Sequence, residues 1–289
     1  MGPVDWWCTA TKEPWSWEWR AYPGIWMAVA LLAVPFLLSL RRHRTETGER
    51  GITTRQKWQY GGGVVVFWLA TDWPVGTLGA GYLASVHMLQ WMLYTSVVAP
   101  LLLLGTPEWM AERFVARLRL DAVLRRISRP LVAGVFFNVV LVITHAPFVV
   151  DRLRVSAAGS IALDVAWVVS GLVVWLPIIS PIRSLRSNSY PVKIVYLFLA
   201  MGVLPMIPGG FLTFATYPLY AIFELAPRAT ALSAANDQII AGLLMKIGSI
   251  PVIWPVVGVM FVRWARQESA EDAANEAALA EAVPPAAAV

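Results

Sequence analysis

Cysteine is almost absent from this 289-residue chain: Cys8 stands alone. A single thiol excludes an intrachain disulfide and any cysteine-rich metal site. Histidine is nearly as scarce, with only His43, His87 and His145. No H-E-x-x-H pair occurs, which excludes that type of zinc hydrolase. There is no G-x-S-x-G nucleophile elbow, and the run Gly61-Gly62-Gly63 lacks the G-K-[S/T] that would complete a phosphate loop. Charge is the third shortage. Only 14% of residues are charged, against about 25% in soluble domains. Apolar residues make up 58% of the chain and the mean hydropathy is +0.61, the composition of a membrane protein. The net charge of +5 sits mostly in loops, where it sets membrane orientation; no nucleic-acid partner is expected. Met1–Tyr22 is tryptophan-rich and polar and lacks the apolar core of a cleavable signal.

The apolar runs predict an all-α, polytopic helical bundle with a single transmembrane domain over residues 1–265. Seven spans are expected, near 24–40, 58–73, 77–105, 130–150, 159–179, 192–217 and 238–262. A flexible tail over 266–289 follows, rich in alanine and glutamate. Between spans six and seven lies a polar loop with Glu224 and Arg228. Loop 1–2 holds Arg41, Arg42, Arg44, Arg50, Arg55 and Lys57, and loop 3–4 is similarly basic. Loop 5–6 adds Arg183, Arg186 and Lys193, whereas the intervening loops hold few basic residues or none. The positive-inside rule therefore predicts the N-terminus outside and the C-terminus in the cytoplasm. Glu108–Arg129 alternates arginines with Trp109, Phe114, Leu118 and Val123, as a helix lying on the membrane surface does. Within span six, LPMIPGG (Leu204–Gly210) predicts a kink or unwound segment.

The stretch that organises the rest is HMLQWMLYTSVVAPLLLLGTP, His87 to Pro107. Read as one helix from Thr77 to Gly105 it is about 43 Å long and places His87 well inside the hydrocarbon zone. A buried imidazole at that depth marks a functional site. Orientation puts further polar and soft groups in the same outer half: Met88, Gln90 and Met92 beside it, His145 at the end of span four, and Asp164 early in span five. Asp237 and Gln238 open span seven, with Met245 and Lys246 two turns deeper. Imidazole and thioether suit copper, and thioether selects Cu(I). A haem held by His87 and His145 would need both at one depth, whereas this reading places one deep and the other near the edge. Asp237 and Lys246 are about 13.5 Å apart along a helix, too far to pair. Asp164 is then the candidate partner for Lys246.

These motifs, with Trp175 and Pro177 in GLVVWLPI and DQIIAGLLMK (Asp237–Lys246), closely resemble the CtaG family of bacterial cytochrome c oxidase assembly proteins. The resemblance covers about residues 60 to 265. It implies a seven-span, non-enzymatic protein of the bacterial cytoplasmic membrane. It further implies partners among oxidase subunits, a possible copper chaperone as donor, and a role in copper delivery or copper-centre maturation. His87, Met88, Met92, His145 and Met245 are then the expected copper-site residues, with Gln90, Asp164, Asp237, Gln238 and Lys246 as supporting polar groups. The chain departs from the family pattern at Trp91, where a second histidine is usual. A further family histidine early in span five has no counterpart near Asp164, and Lys246 stands where an aromatic is common. The expected copper site is therefore reduced and low-coordinate. The alternative is a transporter or channel for a metal ion or small solute, using the broken sixth span as its site.

Overall fold

The computed structural model describes residues 5–187 and 189–282. It is 76% helical, with no strand among the described residues. The first helix, α1 (Pro23–Thr47), opens on a proline at its first position and ends at Gly48 in the left-handed region, as helix ends commonly do. α2 (Thr54–Thr71) starts at a reciprocal cap in which Thr53 and Gln56 satisfy each other's backbone amides. The short α3 (Val75–Gly81) follows.

The expected helix from Thr77 to Gly105 is not continuous. α3 stops at Gly81, and the backbone turns extended at Leu83 before α4 (Ala84–Leu93) begins. Three glycines, at 76, 79 and 81, weaken the helix at this point. The new start is capped from a distant part of the chain. Asp237 accepts the Ala84 amide at 2.6 Å and the Ser85 amide at 3.3 Å, and the Ser85 hydroxyl also donates to it. His87 therefore lies in the first turn of its span, not ten residues inside it. The rod continues through a π-helical segment at Tyr94–Val98 into α5 (Ala99–Gly105). The Trp175 indole donates to the Thr95 carbonyl within that segment at 2.8 Å.

The surface segment is two helices, α6 (Glu108–Leu118) and α7 (Asp121–Ile127), with Arg119 in the left-handed region between them. Trp109 donates to the Gly51 carbonyl at 2.6 Å, and Arg113 pairs with Glu46. Arg183 pairs with Glu108. These bonds gather the three basic loops at one end of the bundle. α8 (Pro130–Thr144) leaves α7 at 83°. It is shorter than the expected fourth span, because Pro147 starts a separate helix, α9 (Pro147–Leu153). α10 (Ala157–Ile179) is capped by Ser156. α11 (Tyr190–Leu197), a π-helical segment at Phe198–Val203 and α12 (Met206–Phe214) form the sixth rod; the LPMIPGG motif leaves the helix only at Leu204–Pro205, its Met206–Gly210 is α-helical, and most of the irregularity lies just before it. The four-residue α13 (Ala221–Glu224) precedes α14 (Ala234–Ile247) and α15 (Ile250–Ala282).

Five helices are long and apolar enough to cross a membrane, or six if the bent α7–α8 pair counts as one. The count is below the seven expected, because α2 carries Arg55 and Lys57 in its first turn and α8 has only 15 residues. Helix continues through residues 266–282, the first part of the expected tail, while 283–289 fall outside the described residues. The core centres on Trp167, Trp175, Tyr94, Phe137 and Leu141, all fully buried.

Removing the Asp237 carboxylate leaves the first amides of α4 without acceptors in a buried setting. Asp237→Ala should destabilise the protein by about 1–2 kcal/mol, the usual worth of a helix cap, with Asp237→Asn retaining part of it. Thermal unfolding in detergent is the measurement. An unchanged midpoint for Asp237→Ala would show that the cap does not fix the α4 start.

Candidate functional site

His87 and His145 are brought together at the end of the bundle opposite the basic loops. Both are buried, and their ring centroids lie 6.0 Å apart with planes at 68°. The break at Leu83 causes this. Starting at Ala84, α4 has His87 level with the C-terminal end of α8, where His145 is the capping residue. The expectation that one histidine is deep and the other near the edge is thereby corrected.

Each ring is fixed through Nδ1. His87 Nδ1 is 3.1 Å from the Gly79 carbonyl, and His145 Nδ1 is 2.9 Å from the Leu141 carbonyl. A carbonyl only accepts, so Nδ1 carries the proton in both rings and Nε2 keeps its lone pair. Neither Nε2 has a hydrogen-bond partner. Gly79 is required for this arrangement: a Cβ there would collide with the Gln90 carboxamide. Gln90 itself donates to the Ala70 carbonyl at 2.7 Å, joining α4 to α2.

Aromatic rings enclose the pair. Trp167 stands edge-on to His87 at 4.9 Å and stacks on His145 at 5.4 Å. Trp91 meets His145 at 5.3 Å, and Phe223 meets His87 at 5.4 Å. The Trp91 indole nitrogen is also buried without a partner, whereas Trp167 donates to Thr144. Beyond Trp167 lies a buried ion pair. The Arg154 guanidinium sits 5.1 Å from the Trp167 ring centroid and donates to Asp164 at 2.9 Å. The second Asp164 oxygen accepts from the Trp7 indole at 2.8 Å. Asp164 therefore pairs with Arg154 and the N-terminal segment, and the expected pairing with Lys246 does not occur.

The remaining expected residues divide differently. Asp237 and Gln238 hold backbone. Gln238 accepts from the Leu219 amide at 2.6 Å and donates to the Leu212 and Tyr217 carbonyls. Met88 and Met245 are in the apolar core. The Met92 sulfur packs at Gly248, about one and a half turns past His87. Lys246 lies with its ammonium 4.3 Å from the Phe214 ring centroid. Among the described residues no group of three or more histidine, cysteine, aspartate or glutamate side chains has the makings of a metal site. Burial pushes the Cys8 thiol up to about 12, so it is no thiolate ligand at neutral pH. The sequence reading missed Trp167, Phe223, Gly79 and the Arg154–Asp164 pair. Arg154 reads as an ordinary loop charge, and only the unusual aspartate within span five signals a buried partner.

Residues 34–267 match the family described as cytochrome c oxidase caa3 assembly factor (Caa3_CtaG). The chain belongs to this family. No curated protein and no solved structure matches it. As a Caa3_CtaG protein with several apolar spans, it is a multi-pass membrane protein that acts with cytochrome c oxidase during assembly. The matched region contains both histidines and Asp164, while Trp7 lies outside it.

The ion pair behind this Caa3_CtaG site is sharply testable. Asp164→Ala strands the Arg154 guanidinium in a buried position, and breaking such a pair costs about 3–5 kcal/mol. Inserted yield and thermal midpoint should both fall, and the double variant Arg154→Met/Asp164→Leu should recover much of the loss. A single variant as stable as the parent would remove the pair from the fold's essential contacts.

Proposed function

We propose that this protein is a non-enzymatic assembly factor of the bacterial cytoplasmic membrane that holds Cu(I) between His87 and His145 and presents it to an oxidase subunit. Copper is here a cargo received from a donor such as a copper chaperone. The observation that carries the reading is the pair of buried, unpartnered Nε2 lone pairs at the family-matched end of the bundle. Each ligand has its Nδ1 proton anchored on a carbonyl, the outer-shell arrangement that orients metal-binding imidazoles. The ring separation of 6.0 Å is compatible with one ion reached by both, given metal–nitrogen bonds of about 2 Å. Two neutral nitrogens in an aromatic enclosure suit a singly charged, soft ion. Zn(II) and Cu(II) bring greater desolvation cost and ask for more donors. Met88, Met92 and Met245 serve packing in this reading. The transporter alternative gains no support from the family assignment.

The finer topology is also part of the proposal: seven spans, with α2 and α8 as the two short ones, N-terminus outside and C-terminus in the cytoplasm. The ion pairs Arg113–Glu46 and Arg183–Glu108 support it by gathering the basic loops at one end; with that end in the cytoplasm by the positive-inside rule, the histidines would face outward. Reporter fusions after Arg129 and after Arg228 should read cytoplasm and outside respectively. The reverse at either position would break the orientation.

Copper binding is tested on the purified full chain in detergent by competition against a chromophoric Cu(I) chelator. The parent should take up about one Cu(I) per chain, and His87→Ala and His145→Ala should each weaken binding by about tenfold or more. Excess Zn(II) should not compete. In a complemented deletion strain both variants should insert normally yet lower oxidase copper and activity. Full oxidase copper in the His87→Ala strain, with expression confirmed, would remove the pair from the mechanism.

A further inference from the structure

Lys246 is a charge inside a membrane-spanning rod with no counter-ion of its own. It lies about 18 Å of helix from Ala234 and about 25 Å from Arg263, too far from either interface for its side chain to reach water by snorkelling. It has neither a carboxylate nor a hydrogen-bond acceptor among the described residues; its ammonium rests on the Phe214 ring. The position is built for it. Gly209 of α12 faces Gly242 of α14, and a Cβ on Gly209 would press on the Gly242 carbonyl, Met245 and the Lys246 stem. The glycine thus lets the lysine lie across α12.

Phe214 also lines a groove of about 660 Å³ with Ile207, Gly210, Phe211 and Tyr217. Phe211 and Phe214 are 68% and 79% exposed. The Lys246 ammonium borders this apolar face through the Phe214 ring, and a cation so placed requires an anion. The chain cannot supply one. Asp72 is bonded to Trp26 and Trp68, Asp164 to Arg154 and Trp7, and Asp237 to the start of α4. A second copy therefore brings no carboxylate to spare at this depth, and a phospholipid phosphate stays at the interface.

We infer that the α12–α14 face around Lys246 is an intramembrane docking surface for a transmembrane helix of the oxidase that carries an aspartate or glutamate at matching depth. The identity of the partner rests on the assembly-factor reading; the need for an anionic helix does not. Apolar packing in the groove gives contact area, and the charge fixes register, since a buried pair is satisfied at only one depth.

The test places a photo-crosslinking phenylalanine analogue at Phe211 of the full chain, expressed in the host membrane with its oxidase. Cross-linked peptides are identified by mass spectrometry. The expected adduct is a transmembrane segment of an oxidase subunit with a carboxylate within about one helical turn of the linked residue. Lys246→Met should lower its yield by about tenfold or more, Lys246→Arg should preserve it, and inserted amount and Cu(I) binding should not change. A yield unaffected by Lys246→Met, a linked segment without a carboxylate, or adducts only to lipid or to another copy of this chain would overturn the inference. Deletion of the protein with no effect on oxidase content would instead refute the assembly reading, whatever the cross-links show.

Discussion

The carboxylate of Asp237 accepts the first amides of α4, and the level at which His87 sits follows from that bond. In hydrocarbon a helix can begin only where its leading amides find acceptors. The chain between Gly81 and Ala84 has none of its own: Leu83 offers no side-chain cap. The acceptor comes from α14, more than 150 residues later. Once α4 starts there, its first turn is level with the end of α8, and two histidines far apart in sequence become neighbours. Gly79, on the other side of the break, turns its carbonyl to the same imidazole. One interhelical bond thus sets the register of the whole site.

That bond also explains what could and could not be read from the residues. The helical stretch around His87, the burial of that histidine and the irregular sixth rod are legible because they are local: a histidine in an apolar run, two prolines and two glycines in seven residues. The break at Leu83 is not local. The apolar run passes through GAGYLA without a polar interruption, so hydropathy alone extends the helix to Thr77, and His87 is misplaced by about two turns. The partner of Asp164 was missed for a related reason. Arg154 lies in a segment that looks like a loop, and α9 folds it inward until its carbonyl accepts from Ala10 and its guanidinium is buried. Sequence distance hides both contacts; sequence composition shows only that a charged residue in a span needs an answer.

The electrostatics of the site divide into two layers. Around the histidines there are neutral rings and the carbonyls that hold each Nδ1, with no charged side chain among the described residues in direct contact. Behind Trp167 the Arg154–Asp164 pair is close to neutral as a unit, with its second carboxylate oxygen held by Trp7. A guanidinium left alone at that position would oppose any cation between the histidines. Under the proposed function its pairing with Asp164 would be a condition for cation binding as well as for folding, and it would extend the site's requirements to the N-terminal segment that precedes the family-matched residues. Trp91 adds a donor with no partner beside His145. Where the family pattern has a further imidazole lone pair, this chain offers an N–H, and a donor cannot ligate a metal.

α14 joins the two functional regions mechanically. Its first turn carries Asp237, which starts α4, and its fourth turn carries Lys246, whose ammonium rests on Phe214 at the edge of the groove along α12. Between them Gly242 and Gly209 bring the two backbones into close approach, and closely packed helices move together. In the proposed docking, a partner helix drawn to Lys246 would load the same rod that positions His87. Transfer of an ion held by two ligands requires one of them to let go, and the α4 start is where a small shift of α14 changes the His87–His145 separation directly. Under the proposed function, docking depth and ion release would both be properties of a single helix.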